Sequence, residues 1–180
     1  MACNLTAGIP LGCRDNAGGV ANAWITDFSN ITSVTQSSDP ITGDTITQIS
    51  GTGTFYAFEL IRTSSQFTET VNASLQAGTV FYQDELVTYF AKMTQEKRNI
   101  LKVLAQNQKL AIVFSDNNGL YWFMGLNYGS FISAGSQVSG QNLGDANGLN
   151  MTFQSLEQFP INSLNGTIYS VTQGITVEAL

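Results

Sequence analysis

The sequence predicts a mainly β (α+β) domain: an antiparallel β-sandwich or small barrel with one flanking amphipathic helix over about 94–106 and a long hairpin over about 66–90. Three observations carry this expectation. Short apolar runs alternate with polar residues at the two-residue period of a half-buried strand along most of the chain. Only one stretch, near residue 100, has the 3.6-residue period of a helix. Gly, Asn, Asp and Pro punctuate the runs where turns are needed. At 180 residues the chain fits an irregular N-terminal arm over 1–20 and one β-rich domain over 21–180.

The elements follow in order. Pro10 and glycines 8, 12, 18 and 19 make the arm irregular, able to pack on its own domain or reach a neighbour. Ala23–Phe28 and Ile31–Gln36 read as short strands around Ser29-Asn30, followed by a turn-rich loop from Ser37 to Asp44 and a strand from Thr45 to Ser50. Phe55 to Arg62 is apolar on both faces, with Phe55, Ala57 and Ile61 opposite Tyr56, Phe58 and Leu60, so both faces should be covered, one of them by the helix or a partner subunit. Gln66 to Gln76 places Phe67, Val71, Ala73 and Leu75 on one face and Thr68, Thr70, Asn72 and Ser74 on the other. A turn at Gln76-Ala77-Gly78 leads into Thr79–Phe90, completing the long hairpin.

Thr94 is placed to cap a helix from Gln95 to about Gln106, although Glu96 falls one residue too early for a capping box. Met93, Ile100 and Leu104 share its apolar side, Leu101 and Val103 flank them, and Arg98 and Lys102 point the other way. Lys97 sits inside the apolar stripe, where its stem can snorkel to the helix edge. Leu110–Ser115 and Leu120–Leu126 flank Asp116-Asn117-Asn118-Gly119, whose Asn-Gly supplies the positive φ angles of a tight hairpin. The glycines from Gly135 to Gly148 read as a flexible loop, and Leu149–Glu157 and Thr167–Val177 as further strands separated by a loop holding Pro160.

Charge is sparse and segregated. Charged residues are 11% of the chain, against roughly 25% in typical soluble domains, so neutral polar groups must cover the surface and extensive subunit contact is expected. Five of the seven bases (Lys92, Lys97, Arg98, Lys102 and Lys109) fall within 92–109, whose only acid is Glu96. The acidic remainder argues against a dedicated duplex-DNA reader. No histidine is present, which removes the usual general base and the commonest metal ligand. Cys3 and Cys13 cannot complete a structural zinc site, leaving a disulfide closing a short loop or two free thiols. Met1–Arg14 lacks a basic region followed by a long apolar run, and nowhere do about 18 apolar residues run together, so neither a signal peptide nor a membrane span is expected.

No catalytic, cofactor-binding or metal-ligating set emerges. Asp84 and Glu85 are adjacent in a strand and point to opposite faces, so they cannot converge as acid and base; a solvated or interface role suits them. Asp145 with Asn142, Asn147 and Asn150 fits no calcium-loop spacing. The glycines of 135–148 lack the Lys-Ser/Thr and helix of a phosphate loop. No serine has an evident activating base. Tyr121-Trp122-Phe123 is a possible stacking platform for a sugar or base, but alternation sends Trp122 one way and its neighbours the other, putting at least one face in the core.

Three passages stand out: Ala2-Cys3-Asn4-Leu5-Thr6 with Cys13-Arg14-Asp15 and Gly18-Gly19-Val20; the hairpin from Ile112 to Phe123; and Gly148-Leu149-Asn150-Met151-Thr152-Phe153-Gln154-Ser155-Leu156-Glu157. On these residues the chain resembles structural proteins of tailed bacteriophages, in particular tail tube subunits, including those of phages infecting Bacteroidota. The resemblance implies a non-enzymatic virion protein, assembled in the host cytoplasm with other tail proteins and no membrane. It implies hexameric rings stacked into a tube through which double-stranded DNA passes without specific binding, the inner wall being built from a long hairpin of each subunit. On that reading the hairpin of 66–90 lines the lumen through Thr68, Thr70, Asn72, Ser74, Asp84 and Glu85, and fixed cations there would slow DNA. The helix packs its Ile100 and Leu104 face on the sheet, and Arg98, Lys102, Tyr56 and Phe58 are the candidate subunit contacts. Two other readings stay open: a capsid decoration, head–tail completion or contractile-injection tube protein, and, in a different class, a carbohydrate-binding adhesive β-sandwich.

Overall fold

A computed structural model describes residues 8–9, 11–37, 44–61 and 63–180. Its strands are β1 (Val20–Asp27), β2 (Ile31–Gln36), β3 (Ile46–Gly51), β4 (Thr54–Glu59), β5 (Gln66–Ser74) and β6 (Thr79–Ala91), followed by helix α1 (Gln95–Gln106). Then come β7 (Leu110–Asp116), β8 (Tyr121–Met124), β9 (Ser130–Val138), β10 (Gly148–Glu157), β11 (Asn162–Ser163), α2 (Ile168–Val171), β12 (Thr172–Gln173) and β13 (Thr176–Val177). The larger sheet runs β13-β4-β1-β7-β9-β10-β6-β5, with β8 and β11 branching from β7. A small sheet runs β12-β3-β2. The fold is mainly β and sandwich-like, and the strand order closes into no barrel among the described residues.

The larger sheet bends at its weakest seam, where β7 and β9 share only the pairing Leu110↔Ser130. One half, β4-β1-β7-β8, is the middle layer; the other, β9-β10-β6-β5, folds across it. Between the halves Ala23, Ile25, Ile112, Phe114 and Met124 meet Leu86, Met151 and Phe153, with Leu104 of α1 closing one end. The opposite face of the middle layer presents Trp24, Ala111, Val113 and Phe123 to Ile46 and Ile49 of β3 and to Ile168 and Val171 of α2. Leu110 to Ser115 is therefore buried throughout, as a strand covered on both faces must be.

The two-faced strand expected at 55–62 is covered differently. Phe55 and Ala57 face the small sheet and Phe58 faces the other core, but Tyr56 is 59% exposed and β4 stops at Glu59. The cover that forms comes from the chain itself, and Tyr56 and Ile61 are left exposed.

α1 starts where the cap predicts: the Thr94 hydroxyl accepts from the Lys97 amide at 3.3 Å. Its docked stripe is shifted, however. Leu104 is buried, Leu101 and Lys97 are half-buried, and Ile100, Val103 and Met93 face solvent, so Ile100 does not pack on the sheet. The Lys97 ammonium donates to the Ala91 carbonyl at 2.5 Å, which ties that side of the helix to β6.

Three further expectations are corrected. The glycine-rich stretch begins as strand, since β9 continues to Val138 along β10 with a bulge opposite Thr152 and Phe153. Thr167–Val177 is not one strand: Thr167 and Ser170 form a reciprocal capping box that winds α2, and the two-residue strands after it pair parallel with β3 and β4, so the sheets are mixed. The β7–β8 turn has one positive φ, at Gly119 (83°), and the Asp116 carboxylate closes it by accepting from the amides of Asn118 and Leu120, each at 2.9 Å.

Replacing Asp116 with Ala should cost about 1–2 kcal/mol in urea unfolding, because two turn amides and the Trp122 indole N–H lose their acceptor. Asp116→Asn, which keeps Oδ1, should recover much of it. The same turn holds the end of the arm: Asn118 accepts from the Ala17 amide at 2.7 Å, and the Asn117 amide group donates to the Gly18 carbonyl at 2.6 Å. Ile9 and Leu11 are fully exposed, and Cys13 is an exposed free thiol. Cys3, Arg62 and most of the 37–44 loop lie outside the described residues.

Candidate functional site

The folded-over half sheet is the feature best suited to a function. Its strands are joined by continuous antiparallel ladders, so directly opposed residues share a face. Rows therefore cross it: Phe131–Gln154–Glu85–Thr68 and Ala134–Thr152–Val87–Gln66 on the outer face, then Gln83 opposite Thr70, Phe81 opposite Asn72 and Thr79 opposite Ser74. Thr68, Thr70, Asn72, Ser74 and Glu85 all lie on this outer face, as the alternation of the hairpin requires. Glu85 is its only charged residue; no cation stands on it.

Asp84 does not belong with them. It pairs with Ser155 on one side and Glu69 on the other, facing the core, and is only 1% exposed. The expectation of a solvated or lumen-facing Asp84 is thus corrected by the phase of β6: Asp84 is in step with the buried Leu86 and Thr88. Its Oδ2 accepts from the Ser155 hydroxyl at 2.7 Å, and its Oδ1 is buried without a partner. Burial raises its pKa to about 6, against the lowering by the Ser155 hydrogen bond and with further upward pushes from Glu69 and Glu157. Glu157 is buried and accepts from the amides of Asn127 and Tyr128, each at 3.1 Å. Glu69 accepts from the Ile161 amide at 2.7 Å. Glu69, Ser155 and Glu157 were not singled out by sequence reasoning, although each is in phase with apolar neighbours on its own strand.

The half sheet has two edges without a strand partner among the described residues, and α1 lies against part of β9. β5 ends the strand order, and beyond the Leu110↔Ser130 pairing β9 has no partner on its outer side among the described residues. Three antiparallel steps separate these edges, so β5 and β9 run in opposite directions. Past the body, the hairpin also carries uncovered apolar side chains, with Val71 58%, Val80 52% and Leu75 100% exposed.

Of the candidate subunit contacts, Arg98, Lys102 and Tyr56 are exposed. Phe58 is not available: it packs edge-on against Phe90 with ring centroids 5.8 Å apart and belongs to the core between the halves. Tyr121, Trp122 and Phe123 also pack within the chain, Tyr121 and Phe123 on one core and Trp122 on the other, so they form no common platform. The Asp145 carboxylate organises its own loop by accepting from the amides of Gln141 (2.8 Å) and Asn142 (2.7 Å), which lower its pKa. Among the described residues no group of three metal-ligating side chains is arranged to hold an ion, and no helix is long and apolar enough to cross a membrane. No protein-family model, no curated protein and no solved structure matches the chain.

Proposed function

We propose that this chain is a non-enzymatic virion structural protein, a tail tube subunit whose copies join edge to edge into hexameric rings that stack into a DNA conduit. One observation carries the reading: a four-stranded antiparallel sheet whose two edge strands lack further strand partners among the described residues and whose outer face is free of cations. Because β5 and β9 run in opposite directions, β5 of one copy can pair with β9 of the next while keeping the antiparallel alternation. Such a head-to-tail contact repeats and closes into a ring when its rotation divides a full turn. Thr68, Thr70, Asn72, Ser74 and Glu85 would then face the lumen, where neutral polar groups and a carboxylate offer phosphates no binding charge. The half-covered hairpin gains cover from the same contact.

Negative-stain microscopy of purified protein should show rings or tubes; a strictly monomeric species at high concentration overturns the reading. The exposed cations of α1 supply a second check. Arg98 and Lys102 stand on a molecule that is otherwise acidic, so in the assembly they meet acidic neighbours. The double reversal Arg98→Glu/Lys102→Glu should weaken assembly several-fold at low salt, with a smaller effect at high salt as screening removes the attraction. Light scattering at two ionic strengths reads this directly, and unchanged assembly reduces α1 to a solvated face.

A further inference from the structure

The polar row Ser130–Ser155–Asp84–Glu69 crosses all four strands of the folded-over half, on its core-facing side. Apolar rows of Phe153 and Leu86 lie beside it, so a charge here is poorly solvated. The row opens into a cavity of about 320 Å³ lined by Asp84, Glu157, Asp44, Asn127 and the segment Phe159–Asn162, with no lysine or arginine in its walls among the described residues. The groups turned toward Asp84 are Glu69 from β5, Ser155 and Glu157 from β10, Tyr82 one turn of the pleat away on β6, and Asp44 across the cavity. Three carboxylates thus surround a fourth, with no cation beside them among the described residues, and Oδ1 of Asp84 has no donor there.

One of these acids also holds a strap. Glu69 accepts the Ile161 amide, and Ile161 packs on the core between the halves while Phe159 and Pro160 roof the cavity. We propose that a proton taken from solvent onto Asp84 and donated in a hydrogen bond to the Glu69 carboxylate keeps the 159–162 segment seated, and that its loss releases this segment. In the protonated pair the Asp84 O–H donates to Glu69, which gives Oδ1 its missing partner while Glu69 still accepts from Ile161. When both are ionised they repel across a direct cross-strand pair, and Glu69, the less buried of the two, turns outward and gives up the Ile161 amide. The device acts in the single chain and stands whether or not the chain forms tubes.

The sign follows from the raised pKa. Asp84 released in an unfolded chain loses its proton near 3.8, whereas in place it holds it to about pH 6. The folded state binds more protons between those values, so the seating is strongest in acid and weakens as pH rises through about 6.

Trp122 reports the strap, because it shares a groove with Ile161 while Trp24 stays buried. Tryptophan emission of the monomeric protein, titrated from pH 5 to 8, should shift to the red with a midpoint near 6. Asp84→Asn and Glu69→Gln each place a permanent donor in the pair, so both should hold the low-pH spectrum throughout. Glu69→Ala, which has no acceptor for Ile161, should show the high-pH spectrum throughout. The proposal is overturned if wild type shows no transition, or if both amide variants keep it. Should Asp84→Asn fail to fold, a carbon-13 titration of the wild-type Asp84 carboxyl decides instead: a midpoint near 3.8 sinks the idea and one near 6 sustains it.

Discussion

Replacing Val71 and Val80 together with Asp should abolish assembly while the subunit stays folded. Both side chains are more than half exposed on the projecting part of the hairpin, so they contribute little to the isolated fold. In the proposed ring they would be covered, and full burial of one valine is worth about 1.5–2 kcal/mol, of which roughly half remains to be gained here. Two such residues repeat at every subunit contact, and each aspartate adds the cost of burying a carboxylate without a partner. The loss should therefore exceed about a hundredfold in the association constant at each contact. Sedimentation velocity reads the assembly and circular dichroism melting reads the fold. A variant that still forms tubes places these valines away from the contact; one that unfolds shows that the hairpin tip is held by the body after all.

Trp24→Ala should be the most damaging single change to stability, at about 3–5 kcal/mol. The indole is 1% exposed at the centre of the second core, lies 5.7 Å from the Tyr121 ring and meets Tyr169 edge-on at 6.1 Å. Its N–H donates to the Glu178 carbonyl at 3.3 Å, and the Glu178 side chain accepts from the Ala57 amide at 2.9 Å. One residue of β1 thus ties the middle layer to the C-terminal segment, and β13 should detach with it. For a domain whose total stability is of order 5–15 kcal/mol, urea unfolding will show a large fall in midpoint. Phe at this position keeps part of the ring packing but loses the hydrogen bond and leaves a small cavity, so its cost should fall between that of wild type and Ala.

Local chemistry was legible in the sequence. Thr94 begins the helix because a hydroxyl at that position answers an orphan amide, and this requires nothing from the rest of the molecule. The hairpin of 66–90 was readable because Thr68, Thr70, Asn72 and Ser74 alternate with Phe67, Val71 and Ala73. The same alternation contained the fact that Asp84 and Glu85 point apart. Which of the two faced the core depended on the strand's other side, where Leu86 and Thr88 belong with Asp84. α2 was missed because Ser170 stands where a capping box usually has Glu or Gln. β9 was missed because its Ser, Ala and Gly residues carry almost no apolar rhythm; pairing with β10 makes it a strand.

The sequence by itself determined the β class, the long helix, the hairpin and the gathering of five of the seven bases into residues 92–109, since each is written in residues near one another in the chain. Only the tertiary structure decided which faces are covered. The bend at Leu110↔Ser130 folds one half of the sheet over the other, burying the Asp84 row and leaving the Glu85 face open and both edge strands without further strand partners among the described residues. That bend joins strands far apart in the chain, and no short-range pattern encodes where a sheet is weakest. The choice between a buried carboxylate and an exposed one, one residue apart, rests on it.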